Sequence, residues 1–132
     1  MSTNGKHGYA FNRTRQTFLA TRLRIANTHL ARLRGLLGTT RQNFDFGHGL
    51  LIVPCHGVHT LAMGYPIDVI YLDQRQVVLH VEENVKPWRF APMKMDAASV
   101  LELPCHTVWD TQTAVGDQIE IRLGPVNSAV RG

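Results

Sequence analysis

Cysteine and histidine stand together twice in this 132-residue chain: Pro54-Cys55-His56, with His59 close behind, and Pro104-Cys105-His106. Thiolate and imidazole are zinc ligands, and four of these five side chains would complete a tetrahedral site if the two segments met. Neither cluster has the spacing of a common zinc motif, however, and adjacent Cys-His pairs seldom share one ion. No resident metal and no cofactor are therefore expected. The same residues could serve nucleophilic catalysis, with Cys55 and His59 as a thiolate–imidazolium pair and Asp68 orienting the imidazole. On extended backbone two residues four apart are separated by about 13 Å, so that pairing requires a turn at Gly57. No glycine-rich oxyanion loop accompanies it. A Cys55–Cys105 disulfide is a further option, disfavoured in a reducing compartment.

Asp68 carries the sharper signal. It lies inside the apolar run Pro66-Ile67-Asp68-Val69-Ile70-Tyr71-Leu72-Asp73. Strand side chains alternate, so Ile67, Val69 and Tyr71 share one face while Asp68, Ile70 and Leu72 share the other. Both faces are apolar, which predicts a strand covered on both sides. A carboxylate buried there must be hydrogen-bonded or paired. Backbone amides or Arg34 are the expected partners, and fixing nearby loops is the expected role. Trp88, between Pro87 and Arg89, sits where the pattern is irregular; loop aromatics beside arginine are common ligand anchors. Closing one end of a barrel against Met63 or Met93 is the competing role for Trp88, and the two are compatible if that end is the pocket.

These residues need a scaffold, and the alternation pattern supplies most of one. Tyr9–Asn12 and Phe18–Ile25 read as strands around an Arg-Thr-Arg-Gln connection, with Leu19, Thr21, Leu23 and Ile25 on one face and Arg22 and Arg24 on the other. Asn27 or Thr28 caps an amphipathic helix bearing Leu30, Leu33 and Leu37, which Gly38 closes. A short buried strand follows from Leu50 to Val53. Ile67–Asp73 and Gln76–Val81 form a hairpin. Residues 84 to 95 read as irregular, 95 to 99 as one helical turn, and Val100–Leu103 as a strand. Val115-Gly116-Asp117 is a turn before a half-exposed strand carrying Ile119 and Ile121. The expectation is a mainly β (α+β) fold: a compact barrel or sandwich of short strands with one covering helix. One globular domain spans 9–123, between flexible ends at 1–8 and 124–132.

Charge is uneven. Residues 1–44 hold eight Lys or Arg and no acid, whereas the remainder holds six basic and ten acidic groups. That asymmetry suits an anionic partner, RNA or a membrane surface, but equally suits a basic segment packed on the acidic remainder. The arginines are spread over a hairpin and a helix without a nucleic-acid motif, which favours the second. No apolar run approaches the roughly 20 residues of a membrane span, and the polar start carries no secretory signal, so a cytoplasmic location is expected.

The ordered motifs Arg34-Gly35-Leu36-Leu37-Gly38, Gly49-Leu50-Leu51, Met63, Pro66–Asp73, Val100-Leu101-Glu102-Leu103 and Gly116-Asp117 resemble the prokaryotic domain-of-unknown-function 192 family across about residues 9–123. Cys55-x-x-Val58-His59-Thr60 resembles one subgroup in particular. The resemblance implies a small barrel-like β domain with a helix and supplies no catalytic residues. Two departures stand out: Gly64 follows Met63 where members often carry Lys or Arg, and Cys105-His106 replaces the common Ala-Gly. The reading is a small non-enzymatic binding or accessory domain. Its pocket, at the barrel mouth, is edged by His59, Thr60, Met63, Asp68, Trp88 and Glu102 and takes an unknown small molecule or protein. A cysteine/histidine or metal-assisted hydrolase is the alternative, and an anionic-partner binder the third.

Overall fold

The computed structural model describes residues 8–27, 40–54, 64–87, 89 and 91–124. Seven strands are present in one sheet: β1 (Gly8–Asn12), β2 (Thr17–Ala26), β3 (His48–Ile52), β4 (Ile67–Leu72), β5 (Val78–Val85), β6 (Ser99–Pro104) and β7 (Ile119–Arg122). Their order is β5-β4-β6-β3-β2-β1-β7. All neighbours are antiparallel except β2 and β3. The expected amino-terminal helix lies outside the described residues. A 3-10 turn, Arg41–Phe44, precedes β3, and one short helix, α1 (Thr107–Thr111), follows β6.

The sheet curls into a half-barrel. Val77 bridges Gln118, and the amides of Val78 and Ile119 bond the carbonyls of Asp117 and Gln76, each at 2.9 Å, so the two ends of the strand order meet at one corner. The inner face draws a residue from every strand: Ala10, Leu19, Leu51, Ile70, Val78, Leu101 and Ile119, with Val108 of α1 among them. The outer face buries Leu50, Ile52, Ile67, Val69, Tyr71 and Val100 beneath Phe44, Tyr65, Ala91 and Ala97. Every residue of β4 and β6 is buried. The alternation in 67–72 therefore has the meaning expected of it: two apolar faces, two covers. At Gly49 a Cβ would stand 2.9 Å from that of Ala20, so the parallel β2–β3 contact closes only around a glycine.

Two expected elements are different. The helical turn at 95–99 is absent, because Ser99 pairs with Leu72 in the β4–β6 ladder and Ala98 donates to the Leu72 carbonyl. Strand β5 runs from Val78 on to Val85 through a bulge rather than ending at Val81.

A polar cluster fastens the hairpin β1–β2 to the turn before β7. Asp117 Oδ2 accepts from Asn12 Nδ2 at 2.9 Å and from Arg15 Nε and the Ala114 amide at 3.0 Å, while Asn12 also donates to Thr113. Burial raises the Asp117 pKa, but the bonds from Asn12, Ala114 and Arg15 together outweigh it and hold the carboxyl below its usual range. A depressed folded-state pKa gives stability that is present above the unfolded value and lost as pH falls through the folded one. Asp117→Ala, which strands the buried Asn12 donor, is expected to cost about 2 kcal/mol at neutral pH. Melting curves from pH 3 to 7 check this: the gap between the two chains should narrow toward the acid end.

Candidate functional site

Asp68 is completely buried on the inner face, and both of its oxygens are engaged. Oδ1 accepts the amide of Asn84 and Oδ2 the amide of Val108, each at 2.9 Å. The sequence accounts for both donors. Between the pairs Ile67–Val85 and Val69–Glu82 the β4–β5 register slips, so Glu83 and Asn84 together oppose one residue. A bulge of this kind leaves an amide outside the ladder. Val108 stands in the first turn of α1, where amides have no intrahelical acceptor. The residue before that helix, His106, provides no side-chain cap. One carboxylate therefore satisfies a bulge and a helix start at once. Of the expected partners, backbone amides are those observed.

The two segments held by Asp68 line a cavity of about 290 Å³, bounded by Phe44, Asp45, Tyr65, Pro66, Asn84, Pro104, Cys105 and His106. Asn84 and His106 have positive φ, +55° and +77°, conformations that cost a non-glycine residue free energy and need surrounding structure to hold them. The Cys105 thiol donates to Asn84 Oδ1 at 3.2 Å, tying the turn to the bulge directly. On the other wall Asp45 Oδ1 meets His48 Nδ1 at 2.8 Å. Two rings and two prolines supply an apolar floor, and an amide, an imidazole, a thiol and a carboxylate supply polar edges. This composition suits a small ligand with an apolar body and hydrogen-bonding groups.

Glu102 is on the opposite sheet face from Asp68. It pairs with Val69 and Leu50 in the two flanking ladders, and Pro104, two residues along on the same face, lines the cavity. The residue is 3% exposed, and its Oε1 has no hydrogen-bond partner among the described residues. Burial alone pushes its pKa up to about 8. A carboxyl with that pKa is mainly protonated at neutral pH, and its burial costs stability.

Of the residues expected to edge one pocket, Asp68 faces the inner side of the sheet and Glu102 the outer. His59, Thr60, Met63 and Trp88 lie outside the described residues, as do Arg34, Cys55 and His56. Among the described residues no group of three or more His, Cys, Asp or Glu is placed to hold a metal ion. No helix among them is long and apolar enough to cross a membrane. Sequence reasoning missed Asp45, Asn84 and His106 as cavity residues; the one signal was the Cys105-His106 departure from Ala-Gly. The basic segment 1–44 is partly neutralised within the domain, by Arg13–Glu120, Arg15–Asp117 and Arg22–Asp45 pairs.

The model of the DUF192 family, described as Uncharacterized ACR, matches residues 10–121. A UPF0127 protein of Thermococcus sibiricus is 29% identical over 124 residues, covering 90% of this chain and 78% of the relative. Two crystal structures share the fold. A protein of unknown function from Novosphingobium aromaticivorans has a TM-score of 0.70 at 18% identity, covering 86% of this chain and 83% of that one. A candidate transcription regulator from Sinorhizobium meliloti 1021 has a TM-score of 0.73 at 20% identity, covering 88% and 92%. At these identities the two structures speak for the fold alone.

Proposed function

The chain belongs to the DUF192 family, and within that family we propose that it is a small binding or accessory domain. Its ligand is a small molecule held at the Pro104–His106 end of the sheet, in the cavity between Tyr65, Asn84 and His106. The observation that carries this reading is the Asp68 clamp. A buried carboxylate gives both oxygens to backbone amides, and the two segments it fixes are the ones that line the cavity. Rigid support behind a lining whose side chains are left to face a ligand is how a binding site is preorganised. Asp68 is thereby a positioning residue. Its oxygens are committed to amides, which argues against the hydrolase reading in which it orients a histidine. The internal pairing of Arg13, Arg15 and Arg22 argues against an RNA or membrane surface as the partner.

Crystals soaked with a library of small aromatic fragments test the proposal. Hits are expected between Tyr65 and His106. His106→Asn, which tolerates left-handed backbone, is expected to weaken those hits about tenfold through loss of one hydrogen bond, with little change in melting temperature. Fragments that cluster elsewhere and leave this cavity empty, or that bind the Asn variant equally well, would sink it.

A further inference from the structure

We propose that Met93, Met95 and His80 form a site for a soft monovalent metal ion, Cu(I), separate from the cavity beside Asp68. The three side chains line one cavity of about 300 Å³ on the outer face, with Leu79, Lys94 and Asp96 completing its wall. Met93 is 68% exposed and Met95 70%, two thioethers presented to solvent two residues apart instead of filling a core. Thioether and imidazole are a donor set that selects Cu(I) over the harder divalent ions. The expected absence of metal rested on thiol and imidazole spacings, and this site uses a different set.

The surroundings fix the imidazole and the backbone that leads into the methionines. His80 is on edge strand β5, and its Nε2 meets Glu82 Oε2 at 2.5 Å. That contact fixes the ring and leaves Nδ1 without a hydrogen bond to any described residue. A carboxylate on one imidazole nitrogen is the usual support for a metal on the other, because it orients the ring and raises its basicity. Tyr71 connects the imidazole to the methionines. Its ring packs edge-on against His80 at 5.2 Å between centroids, and its hydroxyl donates to the carbonyl of Pro92, the residue before Met93. One buried tyrosine therefore sets the methionine segment over the histidine. Lys94 adds a positive charge to the wall, but its ammonium can extend to water on a flexible stem, and Asp96 offsets it.

The test uses anaerobic Cu(I) competition against bicinchoninate, on the chain carrying Cys55→Ser and Cys105→Ser so that thiols contribute nothing. One equivalent of Cu(I) is expected to be withheld from the chelator. In methionine-methyl NMR the signals of Met93 and Met95 should shift, while those of Met1 and Met63 stay in place. Glu82→Gln should weaken binding about tenfold, and His80→Ala by at least as much. Met93→Leu with Met95→Leu keeps the apolar volume at exposed positions and is expected to abolish it. Failure to withhold Cu(I), retention by the double leucine variant, or shifts confined to Met1 and Met63 would each overturn the proposal. A merely apolar docking patch would give that same insensitivity to leucine.

Discussion

Glu102→Gln is expected to raise the stability of the domain at pH 8 by several kcal/mol relative to the unaltered chain, and to remove most of the fall in stability between pH 5 and 8. Glu102 is buried in the outer face between Leu50 and Val69, with no partner for Oε1 among the described residues. Desolvation raises its pKa to about 8. A carboxyl whose folded pKa is above its unfolded value gives stability that is fully present below the unfolded pKa and lost as pH rises through the folded one. The unfolded chain sheds this proton near pH 4.3, whereas the folded chain keeps it until about pH 8. Stability therefore declines steadily across the interval. At 1.36 kcal/mol per pKa unit the whole decline is on the order of 5 kcal/mol, a large part of the 5–15 kcal/mol by which domains are stable. Glutamine has a similar shape and no ionisation, so its curve should lack this decline. Urea unfolding of both chains at pH 5 and pH 8.5 decides it. Parallel losses in the two chains would mean that the carboxyl has found a partner or water. The comparison must be between chains, because Asp117 and Glu120, whose carboxyls are held low by their partners, push stability the other way in acid. A stability gain in Glu102→Gln would also support a functional reason for the acid, since a site that costs stability is kept for its use.

Much of this fold can be read from local pattern, and the rest depends on contacts that are distant in sequence. Strands β4 and β7 follow the two-residue alternation, a property of consecutive side chains and therefore visible without a structure, whereas β2, whose pairing with β1 is interrupted by register shifts, buries Leu19 and Ala20 side by side and exposes Thr21, expected on the Leu19 face. The two-faced reading of Ile67–Leu72 holds for the same reason. Helix α1 is invisible by this route. Thr-Val-Trp-Asp-Thr has poor intrinsic helix propensity, and the acceptor for its Val108 amide is Asp68, 40 residues earlier. The bulge at Asn84 is hidden likewise, because a register slip belongs to the pair of strands and not to either one. Ser99 was expected in a helical turn from its neighbours but is claimed by Leu72 across the sheet. At the candidate site, Asp68 stood out as an acid inside an apolar run, and Glu102 was expected beside it at the pocket edge. Their placement on opposite faces needs the register of β4 against β6, which sets Asp68 opposite Leu103 and Val69 opposite Glu102.

Asp68→Ala is expected to be the most destabilising substitution among the described polar residues at neutral pH, costing about 3 kcal/mol and lowering the melting temperature by roughly 10 °C. The change leaves the amides of Asn84 and Val108 without acceptors. The Val108 amide is buried, and a buried donor left unmade costs more than the net value of the bond it lost. Asp68→Asn retains one acceptor and places an amide donor against the other backbone N–H, so it should recover less than half of the loss. The effects should also be local. Hydrogen exchange at Val108 and Asn84 is expected to accelerate well beyond the change in global stability, because each amide loses its own acceptor. An alanine chain with wild-type melting behaviour would remove Asp68 from its role as a clamp. Global destabilisation with these two amides exchanging no faster than the rest would place the cost in packing of the inner face instead. If the clamp holds, fragments that bind near His106 in the unaltered chain should lose affinity in Asp68→Asn even at temperatures where it is fully folded. Asp68 is not itself among the lining residues of that cavity, so the loss would be transmitted through the two segments it fixes.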